Sequence, residues 1–199
     1  GRVTGVQTCA LPIYTMMLWS QNMSVVHVST HCSLREACDR AKKVRVLECI
    51  HLAHNAMKRL GLDNPHIAVA GLNPHSGEHG LFGREEIEEI IPAIGEARLE
   101  GLYVDGPVPP DTVFLKAYKG IYDIVVAMYH DQGHIPMKMM AFDTGVNVTL
   151  GLPIIRTSVD HGTAFDIAGK GIAKEDSMFS AVDLGIRFAK GRLQSASIH

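Results

Sequence analysis

Apolar residues fall into short runs along this chain, separated by amphipathic stretches. Residues 23–29, with Val25, Val26 and Val28 in one run, predict a buried strand. Ser33-Leu-Arg-Glu36 is a capping-box pattern that opens a helix. That helix is predicted over 33–60. Ala37, Ala41, Val44, Leu47, Ile50 and His54 form its apolar stripe, and Gly61 stands where a terminating glycine belongs. Further strands are predicted at 66–70, 122–128 and 146–150, with a shorter extended piece at Ile154-Ile155. Helices are predicted at 85–98 and 177–189. The first of these has an acidic opening turn, which suits the helix dipole, and a Pro92 placed to kink it. Strand and helix alternate, so the fold class is α/β: a largely parallel sheet with helices on both faces.

Three polar strings interrupt this pattern: Gly71-Leu-Asn-Pro-His75, Tyr129-His-Asp-Gln-Gly133 and the stretch 160–173, which opens Asp160-His-Gly-Thr163. Glycine costs backbone entropy and buried polar groups need partners, so such strings point to a site rather than a core. In open α/β sheets ligands bind beyond the carboxyl ends of strands. His31, His75 and His130 each follow a predicted strand. Imidazole is a common ligand for zinc and other first-row metals, and three such ligands with one open position would make a catalytic site. His27, His51, His54 and His66 lie within elements and read as structural or solvent-facing.

Asp131 adjoins His130, and Asp111 follows Gly106-Pro-Val-Pro-Pro110. Either carboxylate could orient a histidine or move a proton; Asp111 could equally cap a helix starting near Thr112. Lys138, Asn147 and Arg156 offer two cations and an amide, which beside a metal would suit a phosphorylated, carboxylated substrate. Taken singly, each also reads as ordinary surface polarity. No G-x-G-x-x-G follows a strand, so glycine spacing gives no nucleotide site. A metal-dependent hydrolase or aldolase using the same three histidines fits the spacing as well as a dehydrogenase does.

Composition narrows the classes. The 199 residues are 46% hydrophobic and 20% charged, with a formal net charge of -2, and no basic run suggests nucleic acid. No apolar run approaches a membrane span. Cys9, Cys32, Cys38 and Cys49 form no C-x-x-C pair, which fits reduced thiols and a cytoplasmic location. Residues 1–13 have neither helical nor strand periodicity and resemble translated sequencing-adapter read-through. They are expected to be non-native, with 14–199 forming the native part of a longer protein.

The strings Val69-Ala-Gly-Leu-Asn-Pro-His-Ser-Gly-Glu78, Gly106-Pro-Val-Pro-Pro-Asp-Thr112, Tyr129-His-Asp-Gln-Gly133 and 146–164 resemble the 4-hydroxythreonine-4-phosphate dehydrogenase family of vitamin B6 biosynthesis. Residues 160–173 also resemble the nucleotide-binding segment of isocitrate and isopropylmalate dehydrogenases. The resemblance implies an α/β/α sandwich of the isocitrate/isopropylmalate dehydrogenase type, with the N-terminal domain mostly missing here. It further implies a homodimer whose active site is shared between subunits. It assigns His31, His75 and His130 to a divalent metal (Zn, Co, Mg or Mn), and Lys138, Asn147 and Arg156 to the substrate. His161, Gly162 and Thr163 approach NAD, and Asp111, Asp131 and Lys138 are the catalytic candidates. The implied reaction is NAD-dependent oxidation of 4-phosphooxy-L-threonine with loss of carbon dioxide. Gly77-Glu-His-Gly-Leu-Phe-Gly-Arg84 and Gly133-His-Ile-Pro-Met-Lys138 are closer to a sister group acting on D-threonate or D-erythronate 4-phosphate. An inactive fragment that only dimerises is the remaining alternative.

Overall fold

A computed structural model of the chain describes residues 13–141, 144–162 and 165–196. The expected foreign segment therefore lies almost wholly outside the described residues. Seven strands form one sheet in the order β4-β3-β5-β2-β1-β6-β7. They are β1 (Thr15–Trp19), β2 (Ser24–His27), β3 (Ile67–Ala70), β4 (Val104–Val108), β5 (Ile124–Ala127), β6 (Val146–Leu150) and β7 (Arg156–Val159). The helices are α1 (Leu34–Arg40), α2 (Lys43–Arg59), α3 (Ile91–Leu99), α4 (Pro110–Tyr118), α5 (His130–Ala141) and α6 (Asp176–Ala196).

The α/β class is as expected, and five of the seven strands run in one direction, with β1 and β7 reversed. From β4 to β2 every pair is parallel; β2-β1, β1-β6 and β6-β7 are antiparallel. The change of direction comes from β1, which joins β2 by a tight connection in which Ser20 N–H and Oγ both donate to Met23 O. Strand alternation divides the core into two layers. Met17, Val26, Ile67, Val69, Val126 and Val148 pack under α2, α3 and α6. Leu18, Val25, Ala68, Ala70, Val125 and Ala127 face α4 and α5, represented by Val113, Phe114 and Met137. No helix among the described residues is long and apolar enough to cross a membrane.

The helix expected over 33–60 is two helices. Ser33 caps α1 as predicted, its Oγ accepting from Glu36 N–H at 3.2 Å. Ala41 then leaves helical geometry and Lys42 is extended. The break is held from outside: Glu89 accepts from Lys43 N–H at 2.8 Å and from Lys42 Nζ at 3.0 Å. A carboxylate from another segment thus caps α2, where its dipole favours negative charge. The new start resets the helical phase, so Val44, expected in the stripe, is 68% exposed while Val46, Cys49 and Ala53 are buried. Gly61 follows α2 with φ +100°, as a terminating glycine should. The helix expected at 85–98 opens as a π turn (Glu86–Ile90) and continues as α3, with Pro92 in its first turn rather than at a kink.

Candidate active site

The four parallel strands end on one edge of the sheet, and the three metal candidates and Asp111 follow those ends. His31 lies beyond β2, His75 beyond β3, Asp111 beyond β4 and His130 beyond β5. Two polar side chains tie the loops at this edge together. Gln132 is buried; its Oε1 accepts from Met128 N–H at 2.7 Å, and its Nε2 donates to Gly71 O at 2.8 Å. One amide therefore stitches the start of α5 to the Asn-Pro-His loop. Glu86 is 1% exposed and accepts from Leu72 N–H, Asn73 N–H and Asn73 Nδ2 at 2.7–2.9 Å. These bonds hold a tight turn, Pro74–Gly80, in which His75, Ser76, Gly77, Glu78 and His79 all have positive φ. For the four non-glycine residues that conformation costs about 1 kcal/mol or more each, so the turn needs such anchors.

Not all of the predicted ligands meet. His31 and His130 have ring centroids 5.9 Å apart. His75 instead has Phe82 as its ring neighbour, at 6.2 Å. Among the described residues no group of three His, Cys, Asp or Glu side chains is placed to hold a metal ion. One chain thus offers two converging imidazoles and a third on a separate loop. The donor chemistry suits a first-row metal, but the set does not close within a single chain.

His130 is oriented by its neighbour. Its Nδ1–H donates to Asp131 Oδ1 at 2.6 Å, which leaves Nε2 as the acceptor nitrogen. Asp131 is therefore placed to position a histidine. Asp111 sits exposed in the first turn of α4; Pro109, not Asp111, is the residue before the helix. The capping role expected for it is absent, and its charge suits the helix dipole instead.

His134, which the sequence did not assign, and His27, read there as structural or solvent-facing, complete the cluster. His134 stacks on His130, with ring centroids 3.6 Å apart and planes 12° from parallel, and donates from Nδ1 to His130 O at 3.0 Å. His27, at 4.7 Å from the His134 ring, is fully buried. Its Nδ1–H reaches Met16 O at 3.3 Å, and its Nε2 is buried without a hydrogen-bond partner. Burial, reinforced by the nearby imidazole of His134, lowers the His27 pKa from 6.5 to about 3. Burial and then His130 lower that of His134 to about 4. Gly133 is what lets α5 come this close. A Cβ there would run into His27 Nε2 and lie 2.8 Å from Val25 Cγ1. The signal for His134 was its spacing on α5: His130, His134 and Lys138 recur every four residues and share a face.

The substrate candidates lie on the same side of the sheet. Asn147 pairs with Leu18 in register, and Thr149 with Arg156, so all project toward the α4–α5 layer. Arg156 Nη1 donates to Thr149 Oγ1 at 3.0 Å, and Asn147 Nδ2 contacts Met16 Sδ at 3.0 Å. Lys138, two turns along α5 from His130, pairs with Asp160 Oδ2 at 2.8 Å and also donates to the Asp160 carbonyl. Asp160 opens the segment expected to meet NAD. His161 and Gly162 follow it, both exposed, with His161 Nδ1 donating to Gly162 O at 2.9 Å. Thr163 lies outside the described residues. A separate cavity of about 480 Å³, lined by Trp19, Phe179, Asp183 and Arg187 among others, involves none of these residues.

The chain is similar to D-threonate 4-phosphate dehydrogenase of Salmonella typhimurium (strain LT2), with 56% identity over 176 residues, 88% of this chain and 54% of that protein. It is similar to 4-hydroxythreonine-4-phosphate dehydrogenase of Beijerinckia indica, with 55% identity over 172 residues, 86% of this chain and 51% of that protein. The crystal structure of 4-hydroxythreonine-4-phosphate dehydrogenase from Klebsiella pneumoniae superposes with a TM-score of 0.80 at 51% identity, covering 89% of this chain and 54% of that one. The chain spans about half the length of the curated relatives it matches. The family model described as pyridoxal phosphate biosynthetic protein PdxA matches residues 6–185, and the chain belongs to that family.

Proposed function

We propose that this chain is the metal-, substrate- and NAD-binding part of a cytoplasmic dehydrogenase. Its substrate is a four-carbon hydroxy acid phosphorylated at the far end, D-threonate 4-phosphate first and 4-phosphooxy-L-threonine second. The observation that carries this reading is the approach of His31 and His130 beyond two neighbouring parallel strands, with Lys138 on the same helix face as His130 and paired with Asp160. The order of substrates follows the names of the relatives, since those at 56% identity are D-threonate 4-phosphate dehydrogenases. The 55% relative supports the vitamin B6 substrate. The cytoplasmic assignment rests on Cys32, Cys38 and Cys49, all free thiols.

The chain's own residues have definable tasks. Arg156 and Lys138 are cations for the phosphate and carboxylate ends, and Asn147 supplies an amide to the polar middle of the substrate. Asp131 fixes the His130 ring. A divalent ion bound at His31, His130 and His75 would polarise the oxygen at the reacting carbon, and NAD would accept the hydride. The oxidised product is a β-keto acid, which loses carbon dioxide. Because the three histidines do not close a site in one chain, the reading includes a homodimer in which His75 belongs to the partner's half of each site.

The test is NADH formation by the full-length protein with D-threonate, D-erythronate or 4-hydroxythreonine 4-phosphates and a divalent metal. His31→Ala, His75→Ala and His130→Ala should each abolish stoichiometric metal binding. If no substrate gives NADH while metal-dependent hydrolysis or aldol cleavage occurs, the reading is wrong. A monomer binding metal tightly through all three histidines would refute the shared site.

A further inference from the structure

We propose that His134 recognises the second hydroxyl of the substrate, the one beside the carboxylate that does not react. The inference rests on the dehydrogenase reading above. Its ground is the face of α5. His130, His134 and Lys138 succeed one another there at intervals of one turn, so His134 lies between a candidate ligand and a candidate anion anchor. The His134 ring is held in one orientation: it stacks on His130, and its Nδ1–H is committed to the His130 carbonyl. A carbonyl only accepts, so the proton is on Nδ1 and Nε2 is left as an acceptor. That atom has no hydrogen-bond partner among the described residues. A rigid acceptor of this kind is suited to one kind of group, a neutral donor on a bound molecule.

The chemistry of the substrate supplies that group. A four-carbon acid phosphate has four polar parts. Cations suit the phosphate and the carboxylate, and the reacting hydroxyl belongs with the hydride acceptor. The remaining part is the hydroxyl next to the carboxylate. In 4-phosphooxy-L-threonine this position carries an ammonium, whose burial calls for a facing carboxylate. Among the described residues, Asp131 is engaged by His130 and Asp160 by Lys138. An uncharged hydroxyl makes no such demand, so a histidine here favours the sugar-acid substrate.

The test pairs a substitution with a change in the substrate. In the full-length protein, His134→Leu removes the acceptor at similar volume, and His134→Gln keeps an acceptor oxygen near the Nε2 position. Rates are compared for D-threonate 4-phosphate and for its analogue lacking the hydroxyl beside the carboxylate. One lost hydrogen bond corresponds to roughly tenfold. His134→Leu should therefore lower kcat/KM about tenfold or more for D-threonate 4-phosphate, mainly through KM, and less than about threefold for the deoxy analogue. His134→Gln should recover most of the loss. An equal loss with both substrates, or no loss with either, would overturn the proposal and leave the dehydrogenase reading standing. If the unmutated protein forms no NADH with any of the phosphates, the dehydrogenase reading fails and this inference falls with it.

Discussion

Acid should unfold this protein through His27 before its carboxylates are protonated. The side chain is fully buried, with one nitrogen donating to Met16 O and the other unpartnered. The neighbouring imidazoles of His134, His130 and His31 add to burial in disfavouring its protonation. Its pKa is lowered from 6.5 to about 3, so between those values the unfolded chain binds a proton that the folded chain refuses. Stability from this residue is then complete above about pH 6.5 and is lost as pH falls toward 3. At about 1.4 kcal/mol per unit of pKa, the whole window is worth on the order of 5 kcal/mol. Between pH 7 and pH 5 the loss is about 2 kcal/mol, because only the unfolded state titrates there. The assay is urea unfolding at pH 7, 6 and 5 with a chelator present, comparing the wild type with His27→Asn. Asn keeps a donor for Met16 O but does not titrate. The variant should be less stable at pH 7 and should lack about 2 kcal/mol of the acid-dependent loss. Equal losses in the two proteins between pH 7 and pH 5 would refute the reasoning.

Two further perturbations test the scaffold behind the site. Gln132→Leu leaves Met128 N–H and Gly71 C=O buried without their partner, at about 1–3 kcal/mol each. Urea unfolding should show a loss of about 3 kcal/mol; a loss under about 0.5 kcal/mol would mean that the amide does not bridge the loops. Gly133→Ala sets two effects against each other. Helix propensity favours alanine by about 1 kcal/mol, whereas the new methyl meets His27 and Val25 in a packed layer, at about 1–3 kcal/mol. Crowding should win, so thermal denaturation should give a lower Tm, and a raised Tm would show that α5 does not approach β2 as described.

Elements that announce themselves locally were legible in the sequence. The capping box at Ser33, the apolar run at β6 and the glycine after α2 all keep their places, since each depends on neighbours a few residues away. Elements decided by distant contacts were not. Val104-Asp-Gly-Pro-Val108 has poor strand composition, yet it pairs with β3 at the sheet edge, where Pro107 leaves no inner ladder bond unmade. The α5 helix contains both Gly133 and Pro136, two residues that argue against a helix, and Gly133 is there because His27 lies beneath it. The division of α1 from α2 is set by Glu89, more than forty residues further on.

The same distinction runs through the site. The placement of His31, His75 and His130 after strands could be read because strand ends are visible in hydrophobic patterning. Which of them meet could not, because that depends on sheet order. β2 and β5 are neighbours, so His31 and His130 approach, while the strained turn beyond β3 takes His75 away from them. The residues that hold these loops, Glu86 and Gln132, were passed over for a physical reason. A buried polar side chain bonded to backbone looks in sequence like any surface polar residue. Only its partners distinguish it, and for Gln132 they lie four and sixty-one positions away. A polar residue beside a recognisable motif should therefore be tested first for a backbone bond across the fold, before it is given either a catalytic role or none.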